Sequence, residues 1–195
     1  MKDFDYFDIN NKVSPERGDL LISEPYLPDP NFERSVVYLC EHDDNGTFGF
    51  VLNKASLLHF EDVIEDVQDF KELLMIGGPV EQQTLHFLHR NPELMEGGKL
   101  ILNNIHWGGN FDRLLSIIEN RIIDPADFKF FLGYSGWSEG QLDEELSAKS
   151  WIVYKGATAD QVFDTDPDEL WRSVLKEMGG TFRMFSNYPS DPRLN

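Results

Sequence analysis

The chain reads as an α+β fold built on a largely antiparallel sheet. Three observations predict it: β-rich runs outnumber helical stretches, most runs are joined by hairpins or short turns, and one Asn-Gly pair sits between two of them. With 195 residues, 41% hydrophobic and 13% aromatic, the chain can bury a substantial core, and its length fits a single domain, 1–195, better than two.

The elements follow in order. Gly18 to Ser23 is an extended run that Pro25 stops, and Pro28 and Pro30 keep EPYLPDPNF irregular. SVVYLCEH (35–42) and TFGFVLN (47–53) form a predicted hairpin. With Asn45 and Gly46 as the turn, His42 faces Gly49 and Tyr38 faces Asn53. Tyr38, Cys40, His42, Val51 and Asn53 then share one face, with His42 and Asn53 roughly 13 Å apart along the strands. Phe60, Val63, Ile64, Val67 and Phe70 follow the spacing of a short amphipathic helix. LLMI, TLHFLHR and KLILN read as strands, with GGPV between the first two. Asn110 caps a helix carrying Phe111, Leu114, Leu115 and Ile118, and Asp124-Pro125 separates it from the strand FKFFLGY. A helix from about Gln141 to Ala148 and the strand WIVYK come next. The last helix has Asp166 as N-cap, Pro167 at its first position, Glu169 completing a capping box and Gly179 as terminator.

The charge excludes one class of function. Thirty-five acids against 17 bases give a net charge of −18, which repels phosphate backbones, and the basic residues form no run. Direct nucleic-acid binding is therefore not expected. No apolar run approaches the ~18 residues of a membrane span, and MKDFDYFDINNK lacks the features of a secretory signal. The single Cys40, in an apolar run, reads as a buried thiol in a reducing compartment, so the expected location is cytoplasmic.

Several motifs suggest chemistry. Gly136 to Gly140 spell G-x-S-x-G, the pattern of a serine-hydrolase nucleophile turn at Ser138. All five histidines lie upstream of it, against the hydrolase order, and Ser138 followed by Gln141 reads as a capping box. His86 and His89 have metal-ligand spacing for a helix, but on a strand they point to opposite faces. Asp164, Asp166 and Asp168 open like a calcium loop that then lacks its glycine and its bidentate glutamate. GGPV has no following Lys-Ser/Thr, which excludes a P-loop, and no recognition helix follows the one at Asn110. No metal or cofactor is implied.

In order and spacing, GDLLISEP, DPNFERSVVYLCEH with GTFGFVLNK, GGPV, Leu88-His89, GYSGWSEGQLDEEL and VFDTDPDELW resemble the AlgH/YqgE family of bacterial proteins from about Gly18 to Gly179. The resemblance implies a bifurcated sheet curled into a pseudo-barrel with flanking helices. It also brings a transcriptional-regulator label that some members carry. The chain departs from the family pattern at Ala55, where proline commonly stands, at Asp143, where glutamate does, and in the tail TFRMFSNYPSDPRLN. The positions it carries over as a candidate polar pocket are Asp29, Arg34, His42, Asn53, Gly77, Gly78, His89, Tyr134, Trp137 and Gln141. Arg34 is the natural anchor of an anion, because its planar fork suits carboxylate or phosphate. The expectation is a non-enzymatic binding or regulatory module for a small anion or a protein partner. Its rivals are a hydrolase using His42 or His89 as base and a transcriptional regulator.

Overall fold

The structure is a computed structural model and describes residues 13–189. The acidic start, residues 1–12, lies outside the described residues.

Ten strands are ordered along the chain: β1 (Leu20–Ser23), β2 (Val36–Asp43), β3 (Gly46–Val51), β4 (Ala55–His59), β5 (Leu73–Ile76), β6 (Val80–His89), β7 (Lys99–Leu102), β8 (Ile105–Trp107), β9 (Phe128–Ser138) and β10 (Trp151–Tyr154). Among the described residues five α-helices accompany them: α1 (Phe60–Val63), α2 (Phe111–Glu119), α3 (Gln141–Ser147), α4 (Pro167–Met178) and α5 (Gly180–Phe185). The ladder runs β10-β1-β2-β3-β9-β6-β8-β7, and all its pairs are antiparallel. The long strand β9 is where the sheet forks: Phe130–Leu132 pair with β5 and Ser135–Ser138 pair with β3, while β6 lies on the other edge. The β5–β9 pair is parallel, so the sheet is mixed.

The ladder does not close into a barrel. Its two ends nevertheless touch. A Cβ on Gly18, beside β1, would lie 2.6 Å from that of Leu102 in β7, and Asn103 Nδ2 donates to Ala157 O, just past β10, at 3.0 Å. One core fills this curl, from Leu20 and Tyr38 through Phe50, Phe131 and Ile105 to Leu170 and Phe185 of α4 and α5. A second packs α1 and α2 against β9 through Phe60, Leu114 and Phe130; a third sets α3 against Trp137 and Trp151.

The hairpin is shifted from its predicted register. Asp44 and Asn45 make the turn, Asp43 pairs with Gly46, and His42 faces Thr47. Gly46 is demanded both by its φ of 142° and by β9, since a Cβ there would sit 2.6 Å from Trp137 O. An irregularity between Leu39 and Glu41 then sets Gly49 opposite Leu39 and Tyr38 opposite Phe50. Val51 therefore joins Val37 and Leu39 on the face opposite Tyr38 and Cys40. Gly49 makes no room for His42, because its Cβ would collide with the Tyr38 carbonyl.

The predicted helix over Phe60–Phe70 is only one turn long. His59 pairs with Leu73 across β4 and β5, so residues 60–72 must return to where they began. A straight ten-residue helix would carry the chain about 15 Å away. Phe60, Val67 and Phe70 are still buried, as the spacing required.

Candidate functional site

Arg34 and Asn53 meet, and a third residue type completes the site around them. Arg34 sits at φ 49° in the left-handed region at the end of the proline-rich loop. Asn53 holds it there: its Nδ2 donates to Arg34 O at 2.8 Å while its Oδ1 accepts from Val36 N at 2.8 Å. The guanidinium lies 4.8 Å from the Trp171 ring centroid, and its Nη2 donates to the carbonyls of Tyr188 and Pro189 at 2.7 and 2.6 Å. Its Nε is buried and has no hydrogen-bond partner among the described residues. Beside it opens a cavity of about 270 Å³ in which Lys54 and Arg172 join Arg34, with Glu33 and Asp168 as the carboxylates of its wall.

The electrostatics of this cavity favour an added negative charge. Burial lowers the Arg34 pKa and repulsion from Arg172 lowers it further, while Glu33 partly opposes both. Burial also lowers the Lys54 pKa, against Glu33 and Asp29. The N-terminus of the 12-residue α4 opens here at Pro167, and its macrodipole adds to the positive potential. Asp29, half-buried, caps its own loop through Asn31 N at 2.8 Å.

His42, Trp137 and Gln141 belong to a different region, at the end of the β2–β3 hairpin. His42 Nδ1 lies 2.6 Å from Thr47 Oγ1, its cross-strand neighbour. Both line a cleft of about 670 Å³ that also holds Ser138 and the acids Asp43, Asp44, Glu139 and Asp143. Ser138 ends β9, and only Glu139 and Gly140 separate it from the start of α3 at Gln141. The capping box is half formed: Gln141 Oε1 accepts from Ser138 N at 3.1 Å, but the serine hydroxyl points at the same oxygen, 3.2 Å away, and α3 has Gly140 as its N-cap. Trp137 and Gln141 spend their polar groups inside the fold, since Glu145 accepts from Trp137 Nε1, Trp151 Nε1 and Gln141 Nε2.

The remaining positions serve packing. A Cβ on Gly77 would strike Gly133 O, and one on Gly78 would strike the Tyr134 carbonyl, so both glycines let β5 and β6 pass β9. Tyr134 packs edge-on against Phe48 at 5.8 Å and lines a second cavity of about 610 Å³ with Glu41 and Asp43. His89 is fully buried, bonded through Nε2 to Gly108 O at 3.1 Å and stacked on His106 and Phe128. His86 and His89 lie on one strand but pack apart, His86 against Phe50 and Tyr134 and His89 against His106 and Phe128; among the described residues no group of three or more His, Cys, Asp or Glu side chains is placed to hold a metal ion. Asp164 is clasped by Arg90 at 2.6 and 2.9 Å, and Asp166 caps α4 through Asp168 N at 2.9 Å. Cys40 is fully buried, which pushes its thiol pKa up. No helix among the described residues is long and apolar enough to cross a membrane.

The cavity brings together Arg34 and Asn53, which the sequence named, with Lys54, Trp171 and Arg172, which it did not. The available signal was the Trp-Arg pair one turn inside α4; nothing in the spacing says that α4 packs its start against the loop at Arg34.

Comparison with known proteins agrees with this architecture. The AlgH-like family profile (DUF179) matches residues 20–183. A UPF0301 protein of Cytophaga hutchinsonii is 45% identical over 180 residues, covering 92% of this chain and 98% of its own. One from Parabacteroides distasonis is 37% identical, covering 95% and 94%. Among solved structures, the AlgH protein from Pseudomonas aeruginosa superposes with a TM-score of 0.70 at 29% identity, covering 91% of this chain and 97% of that one. A protein from Corynebacterium diphtheriae shares the fold with a TM-score of 0.73 at 22% identity, over 90% and 94%. The chain belongs to the AlgH-like family.

Proposed function

We propose that this is a non-enzymatic, cytoplasmic binding or regulatory module that holds a small carboxylate- or phosphate-bearing molecule in the cavity between Arg34 and Arg172. The observation that carries the reading is the convergence of Arg34, Lys54 and Arg172 on one cavity in a chain of net charge −18. Two of these cations are held below their ordinary pKa, and an anion would relieve that cost. Asn53, already fixed by the backbone, orients the site, and Trp171 walls it. Overall negative charge argues against contact with a nucleic-acid backbone, so a regulatory role works through the ligand or a protein partner.

Thermal unfolding against a panel of phosphate, citrate and small dicarboxylates tests this. An anion at ~100 times its dissociation constant raises the melting temperature by roughly 5 to 10 °C, and Arg172→Gln removes the shift while the protein stays folded. No shift with any anion, or equal shifts in the variant, sinks the assignment.

A hydrolase is the second reading, and the His42–Thr47 contact favours it: a histidine within hydrogen-bond reach of a hydroxyl in an open cleft. His89, buried and bonded to backbone, offers no such geometry. Hydrolysis of p-nitrophenyl acetate above the buffer rate, lost in both His42→Gln and Thr47→Val, is its required outcome; equal rates in wild type and variants end it.

A further inference from the structure

The C-terminal segment lies on the same guanidinium that lines the cavity. Chain geometry brings it there: α4 ends at Gly179 (φ 71°), α5 turns back, and Phe185 is fully buried in the main core. Tyr188 then stacks on Tyr26 at 5.9 Å and packs edge-on against Phe185 at 5.5 Å. Its carbonyl and that of Pro189 both accept from Arg34 Nη2. An Nη nitrogen carries two N–H groups, so these two carbonyls use both.

We propose that residues 186–189 are a built-in competitor for the anion cavity, occupying the half of the Arg34 fork that a bound carboxylate or phosphate would need. This rests on the anion-binding reading above. The argument is one of donor count. Bidentate recognition takes two parallel N–H groups from neighbouring nitrogens of the guanidinium. With Nη2 committed to the tail and Nε buried against the protein, no bidentate pair can be offered. Single-point contact through the rest of the fork, helped by Lys54 and Arg172, is what the docked state allows. Releasing the tail frees Nη2 and restores the pair. Two neutral carbonyls are also weaker partners for a guanidinium than an anion is, so the exchange is driven in the right direction once the ligand is present. Linkage makes the effect mutual: an anion that displaces the tail loosens it, and a tail held elsewhere by a partner tightens the anion.

The test uses the full chain and inorganic phosphate as probe. Tyr188→Ala removes the stacking on Tyr26 and Phe185 while leaving every cavity residue in place. Phosphate affinity by calorimetry is expected to rise about tenfold in the variant, the size of a lost 1.4 kcal/mol competition. In the wild type, phosphate should raise the ps–ns mobility of amides 186–188 measured by ¹⁵N relaxation. Unchanged affinity in Tyr188→Ala, with wild-type binding intact, overturns the tail's role and leaves the cavity standing. Weaker affinity in the variant also overturns it, because the tail would then complete the site. Phosphate binding by neither protein overturns the cavity assignment and the competition together.

Discussion

His89 shows how burial alone sets a residue's behaviour. Its ring is fully enclosed, and burial together with the neighbouring His106 pushes its pKa down to about 4 from an ordinary 6.5. Burial lowers the His86 pKa in the same direction. The neutral ring is therefore the folded form, and the unfolded chain binds the proton first as pH falls. Stability from this residue is complete above about pH 6.5 and is lost progressively down to about pH 4. Between pH 7 and 5, where most carboxylates stay ionised, His89 should cost about 2 kcal/mol. Urea unfolding at the two pH values measures it, and His89→Asn should flatten the pH dependence whatever it does to absolute stability. An unchanged slope in the variant would assign the acid sensitivity to other groups. Arg34 is the opposite case: it keeps its charge, and the surroundings bear the cost through a left-handed backbone and a buried Nε without a partner among the described residues.

At the level of elements, local rules were legible wherever local forces decide. Asn110 caps α2 through Arg113 N, Asp166 caps α4, and Pro167 begins it, all as the sequence patterns require. Strand identity was readable in β1, β2, β3, β5, β6, β7, β9 and β10. What failed depends on contacts far along the chain. Gly46 looked like a turn glycine because Asn-Gly is a strong hairpin signal, yet it opens β3 opposite Asp43, where its positive φ and the close passage of β9 together exclude a side chain. The irregularity between Leu39 and Glu41, which no local signal marks, then turned Val51 to the other face. The amphipathic pattern after His59 predicted the right buried residues in the wrong conformation, since closure of β4 onto β5 is non-local. The bond between Ser138 and Gln141 was foreseen in half. The short α5 went unread because Gly179-Gly180 looked only like a stop.

Across the whole molecule, the cavity forms because three distant segments converge: the proline-rich loop, the residues after β3 and the first turns of α4. Sequence alone could nominate Arg34 and Asn53 through family resemblance, but the pairing of Arg34 with Arg172 is a property of tertiary packing. The surrounding field is negative, so the cavity is a local reversal of sign rather than part of a basic surface. Moderate salt screens the long-range repulsion an incoming anion meets, over a Debye length of about 8–10 Å. Under such conditions, a ¹H–¹⁵N titration of the full chain with inorganic phosphate tests the central claim most directly. Saturable shifts in the amides of Glu33, Arg34, Asn53, Lys54, Asp168 and Arg172 and in the Trp171 indole, together with amides 186–188 of the tail that the anion displaces, are the predicted result. Shifts centred instead on the hairpin end around His42 and Ser138, or scattered without saturation, would contradict the account.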